Sequence, residues 1–174
     1  MAARVGETLH VRAVQDIARQ RFRYPSDAYP TFRTFTNVPQ RTMAIADAQL
    51  NILYPDIVVV QWPERITQIL GQVETNNSLG DQQAPARWRA FARAGPLYLY
   101  VPVGRAEETK RLIKRHKIST VGLRTWRYIV GYEAIEIVDM ETAPSDPLEA
   151  LMPKALRRLL PAIRPPRPGP REAS

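Results

Sequence analysis

At 174 residues the chain is long enough for one domain with a buried core, and 44% hydrophobic with 24% charged residues is ordinary for a globular protein. The absence of cysteine excludes thiol catalysis, disulfide stapling and thiolate metal sites, and no apolar stretch approaches the ~20 residues needed to cross a bilayer. The net charge of +8 is uneven: Lys154, Arg157, Arg158, Arg164, Arg167 and Arg171 against Glu172 give residues 153–174 a net +5 and leave +3 for residues 1–152.

Near the N-terminus, Val11, Val14, Ile17, Ala18 and Phe22 recur at helical spacing and predict an amphipathic helix over 7–22. No unbroken apolar run of the signal-peptide type precedes it, so a cytoplasmic protein without a membrane partner is expected. Residues 24–39, rich in Pro, Ser, Thr and aromatics, read as irregular. Residues 43–53 are ambiguous, with a short helix as one reading. Strands follow at 56–62 and 66–75, joined by a turn at Pro63-Glu64-Arg65. A helix at 85–94 starts on Pro85 and stops at Gly95. A strand at 97–102 and a Lys- and Arg-dense helix at 106–116 come next, then strands at 121–129 and 134–138. Asp146-Pro147 opens a helical stretch by N-cap and first-turn Pro. The order predicts an α/β (α+β) fold with a mixed sheet between helices. The expected organisation is a domain over 1–140, a helical extension over 141–160 and a disordered Pro/Arg-rich tail over 161–174.

Two polar groups sit oddly in this pattern. Asp56 stands at the mouth of the apolar run Ile57 to Val60, and Gln72, Glu74 and Asn76 alternate along the returning strand. If the two strands form a hairpin, residues equidistant from the turn face each other, which sets Asp56 opposite Gln72. Period-two geometry then projects Gln72, Glu74 and Asn76 from one face. Carboxylates gathered in an apolar setting repel unless a cation lies between them. Oxygen donors from Asp, Glu and an amide suit Mg²⁺ or Mn²⁺.

A Pro-Asp at the start of an apolar strand, followed by a hairpin and a second acid on the returning strand, resembles the PD-(D/E)xK nuclease superfamily. The resemblance covers roughly residues 7–130, because the flanking helices and strands follow the same order. It implies a restriction-endonuclease-like fold with Asp56 as the metal-binding Asp. The (D/E)xK part departs from the pattern. In the register Gln72-Val73-Glu74 an amide replaces the acid and Glu74 the Lys; in the register Glu74-Thr75-Asn76 the acid is kept and Asn76 replaces the Lys. The first sets Gln72 opposite Asp56. The implied metal ligands are Asp56, Glu74 and Gln72.

Glu7 falls on the apolar face of the first helix and looks like the acid that completes the metal site in several members of the superfamily. The alternative is an acid that merely favours the positive helix end. The resemblance implies DNA as partner and allows a homodimer. Arg87, Arg89, Lys110 and Lys114 are the candidate phosphate contacts. Trp88, Phe91, Trp126 and Tyr128 are expected in the core, and His10 and His116, which lack metal-ligand spacing, on solvated faces. No P-loop, dinucleotide fingerprint or serine-hydrolase elbow is present. The expected activity is metal-dependent hydrolysis of DNA phosphodiesters. The rival is a nuclease-like domain without catalysis that binds nucleic acid or a protein.

Overall fold

The computed structural model describes residues 2–140, with side chains from residue 8 onward. The extension and tail expected over 141–174 lie outside the described residues. Twelve elements follow in chain order: α1 (Ala2–Arg21), β1 (Phe32–Thr36), β2 (Ile45–Ala46), β3 (Ile52–Leu53), β4 (Ile57–Gln61), β5 (Ile66–Val73), α2 (Asn76–Leu79), α3 (Ala84–Ala94), β6 (Leu97–Pro102), α4 (Ala106–His116), β7 (Gly122–Tyr128) and β8 (Ile135–Asp139).

Six strands form one mixed sheet in the order β1-β4-β5-β6-β7-β8. β4 and β5 pair antiparallel, whereas β5, β6 and β7 run parallel. Both faces are covered, which is why β4 and β6 read as continuous apolar runs. Alternation along the strands divides two cores. Ile57, Val59, Ile69, Val73, Tyr98 and Tyr100 meet Val14, Ile17, Ala18 and Phe22 of α1. Val58, Val60, Leu70, Leu97, Leu99 and Val101 meet Trp88 and Phe91 of α3 and Ala106 of α4. A Cβ at Gly95 would stand 2.9 Å from Thr67 Cγ2, so glycine is needed where α3 turns back against β5. Among the described residues, no helix is long and apolar enough to cross a membrane.

Two local expectations fail. The irregular stretch 24–39 contains β1, an edge strand paired with β4 from Phe32↔Gln61 to Thr36↔Ile57. Phe32 joins the α1 core and Phe35 the opposite one, so the strand bridges both layers. Residues 43–53 form a two-stranded hairpin, β2 with β3, not a helix. Asp47 turns it: Oδ1 accepts the backbone N–H groups of Gln49 and Asn51, each at 2.9 Å, a local geometry that competes with helix.

Candidate functional site

The β4–β5 register runs Ile57↔Gly71, Val58↔Leu70 and Val59↔Ile69 before a bulge. Extended by one residue, it sets Asp56 against Gln72, and the Asp56 N–H reaches Gln72 Oε1 at 3.4 Å. Asp56 shares strand parity with Val58 and Val60, as Gln72 and Glu74 do with Leu70, so the three polar residues belong to the α3 side of the sheet. They line one cavity of about 610 Å³ at the carboxyl end of β5. All three are withdrawn from solvent: Asp56 is 6% exposed, Gln72 6% and Glu74 0%.

A buried amide places the Pro-Asp segment. Asn37 Nδ2 donates to the carbonyls of Met43 and Pro55, both at 2.8 Å, and its Oδ1 accepts from Thr42 and Met43 N–H. Its own N–H donates to the Asp56 carbonyl at 2.9 Å. With each side-chain polar atom satisfied, Asn37 ties the strand entry to the β2–β3 hairpin. Its composition as one Asn among loop residues gave no signal of this role.

Asp56 Oδ2 accepts the Val73 N–H at 2.9 Å and faces His10 Nε2 at 3.0 Å. The same Nε2 lies 3.0 Å from the Val73 carbonyl. Both partners accept, so Nε2 carries the hydrogen and shares it, and protonation of the ring would occur at Nδ1. Burial alone would lower the imidazole pKa, but Asp56 through hydrogen bond and charge, the Val73 carbonyl and Glu74 together raise it. His10 was expected on a solvated face. It lies a quarter exposed, because the helical turn carrying it passes over the strand ends where Asp56 opens β4.

Glu74 is held by two indoles. Trp88 Nε1 donates to its Oε1 at 2.7 Å, and Trp126 Nε1 donates to its backbone carbonyl at 3.1 Å. Arg87 Nη2 stands 3.5 Å from Oε1, while Nη1 pairs with Asp81 at 3.0 Å. Burial works against the Arg87 charge, yet Asp81 and Glu74 hold its pKa above the ordinary value. Glu74 Oε2 is buried and has no hydrogen-bond partner among the described residues. A carboxylate oxygen in that condition costs free energy unless something fills the site.

Other sequence-predicted residues separate. Asn76 does not continue the strand face: Thr75 caps α2, accepting the Ser78 N–H at 3.3 Å while Ser78 Oγ accepts the Thr75 N–H at 2.8 Å. The reciprocal cap ends the strand and turns Asn76 out to solvent. The Glu7 backbone belongs to α1, and its side chain lies outside those described. Arg87 lines the acidic cavity. Arg89 instead reaches the His116 carbonyl at 2.8 Å, Lys110 pairs with Glu107 at 3.1 Å, and Lys114 is exposed on α4. Trp88, Phe91 and Trp126 are buried, and Tyr128 half-buried; Trp88 and Trp126 also carry polar duties that a packing role alone does not predict.

The donor set can be weighed against a hard divalent ion. Among the described residues no group of three or more His, Asp or Glu is placed to hold a metal, so an ion here would rest on two carboxylates and the Gln72 amide. The oxygen chemistry suits Mg²⁺ or Mn²⁺, and the orphaned Glu74 Oε2 is the atom such an ion would satisfy. No protein-family model, characterised protein or solved structure matches the chain.

Proposed function

We propose that this chain is a divalent-metal-dependent nuclease that hydrolyses DNA phosphodiesters in the cavity of Asp56, Gln72 and Glu74, on a restriction-endonuclease-like domain. The observation that carries the reading is the fully buried Glu74, which lines one cavity with Asp56 and Gln72 and whose Oε2 lacks a partner among the described residues. Asp56 and Glu74, with Gln72, hold Mg²⁺ or Mn²⁺. The ion supplies polarisation of a phosphoryl oxygen and a water of lowered pKa. The rest falls to the chain. The Val73 N–H and His10 fix Asp56, Trp88 fixes Glu74, and Arg87 at the cavity wall offers a guanidinium to the phosphate.

A second reading has its own observation. Each acid already has a cationic or donor neighbour, His10 for Asp56 and Arg87 for Glu74, and no Lys occupies the family's position. Each acid is then partnered without an ion, and the domain binds nucleic acid or a protein without cleaving.

Plasmid nicking with Mg²⁺ or Mn²⁺ separates the two. Asp56→Asn is a better probe than Asp56→Ala, which would strand the buried Val73 N–H at a cost of about 1–3 kcal/mol. A metal-dependent nicking activity that Asp56→Asn abolishes supports the nuclease. Inertness of the natural protein on duplex, junction and single-stranded DNA ends it.

A further inference from the structure

A second concavity lies where the C-terminal half of α3 meets the end of α4. It encloses about 350 Å³ and is lined by Arg89, Arg93, His116, Lys117 and Ser119, with the buried Ile118 beneath. No acid lines it. Arg89 and Arg93 stand one helical turn apart, so two guanidinium groups share a row and repel. Lys117 adopts the left-handed conformation (φ 50°) as the C-cap of α4, its N–H directed at the Ile113 and Lys114 carbonyls.

Part of this charge serves α4 itself. Arg89 satisfies the terminal His116 carbonyl, and Lys114 and Arg115 sit at the negative end of the helix. Arg93 and Lys117 are not accounted for in this way. Neither makes an ion pair or side-chain hydrogen bond among the described residues, and Arg93 interacts with Asp47 only through space. Like charges converging on a concave wall without an acid focus a positive potential into it. Arg93, Lys117 and Ser119 are exposed, so the concavity is open to an anion of phosphate size.

We propose that this concavity is a phosphate-binding subsite, and that it takes a backbone phosphate of the DNA whose scissile phosphate enters the acidic cavity. The second half rests on the proposed nuclease reading. α3 is the wall between the two concavities: Arg87 and Phe91 face the acidic one, Arg89 and Arg93 the basic one. From Arg87 to Arg93 the helix rises about 9 Å, and phosphates of one strand advance about 3.4 Å each along the duplex axis. A backbone running along α3 therefore offers the subsite a phosphate about three nucleotides from the one at the acids.

The test uses the full chain in EDTA, so that cleavage plays no part. Binding of a fluorescent DNA duplex is measured across salt for the natural protein and for Arg93→Gln/Lys117→Asn; Asn tolerates the left-handed conformation at 117. The expected result is a salt slope reduced by about 2 and an affinity roughly tenfold lower at low salt, with unchanged melting. An unchanged slope overturns the subsite. Inorganic phosphate added to the natural protein distinguishes the source. Displacement of the Ser119 amide resonance by phosphate and by DNA alike supports a backbone phosphate; displacement by phosphate but not DNA makes free phosphate the ligand and overturns the assignment to DNA. If the double variant fails to fold, the Ser119 resonance in the natural protein decides, and no displacement by either ligand overturns the proposal. A reduced slope in a protein that nicks no DNA leaves the subsite standing and removes the nuclease.

Discussion

Replacing Glu74 by Gln tests whether its carboxylate is a ligand held ready or a structural ion-pair partner. Gln keeps an Oε1 for the Trp88 indole, so the loss there is the difference between a charge-assisted and a neutral hydrogen bond, about 1 kcal/mol. Arg87 loses a contact already stretched to 3.5 Å and keeps Asp81, a change of a few tenths of a kcal/mol at a partly exposed cation. Against these stands removal of a charge that is 0% exposed with one oxygen unpartnered, where the desolvation penalty is of the order of several kcal/mol before compensation. The metal-free variant should therefore be more stable by about 1–2 kcal/mol, a melting temperature higher by roughly 2–8 °C. Saturating Mn²⁺ should reverse the order. A ligand at a hundred times its dissociation constant stabilises the natural protein by about 2.7 kcal/mol and the variant far less. Thermal melts in EDTA and in Mn²⁺ read both arms. A metal-free Glu74→Gln protein destabilised by more than about 1 kcal/mol would show the carboxylate to be structural, and a natural protein whose melting ignores Mn²⁺ and Mg²⁺ would refute the ion.

Trp88→Phe removes the indole donor and part of a fully buried ring, leaving the Glu74 carboxylate with Arg87 alone; urea unfolding should show a loss of about 2–4 kcal/mol, of which the hydrogen-bond share disappears when combined with Glu74→Gln and the cavity share remains. A full loss retained in the double variant would mean that Trp88 acts through packing only. Tyr100, buried against the α1 core and accepting from Arg124 Nη1 at 2.7 Å, has its hydroxyl pKa pushed up to about 12 by burial, against the pull of the Arg124 charge. A folded pKa above the unfolded 10.0 means stability present in full below pH 10 and lost between pH 10 and 12. The loss is about 1.4 kcal/mol at pH 11, measurable by denaturant titration as the difference from Tyr100→Phe, and equal alkaline slopes in the two proteins would refute it.

Elements that bury one stripe or a whole strand were legible. β6 and α4 lie where apolar runs and helical spacing set them, and the hairpin count placed Asp56 against Gln72 because strand period and turn position leave little freedom. β1 was not legible, since FRTFT divides its two Phe between opposite cores and shows no single apolar face. The β2–β3 hairpin was missed because its strands are two residues long, and one Asp side chain, not a pattern, makes the turn.

The site shows the same division between local and distant causes. Asp56, Gln72 and Glu74 could be associated from one hairpin, a relation contained in twenty residues of sequence. His10 and Trp126 come from elements far away in the chain, Asn37 from the loop after β1, and nothing in their spacing reports that they meet the hairpin. Their placement also shows why an acid stands at position 74. Position 74 is fully buried, faces the Trp88 indole N–H and lies within 3.5 Å of Arg87. A Lys there would bring a buried cation against a donor and a guanidinium, with no acceptor in return. An acid is the residue that this pocket accommodates, and the positive charge beside it comes from α3 instead of from the strand.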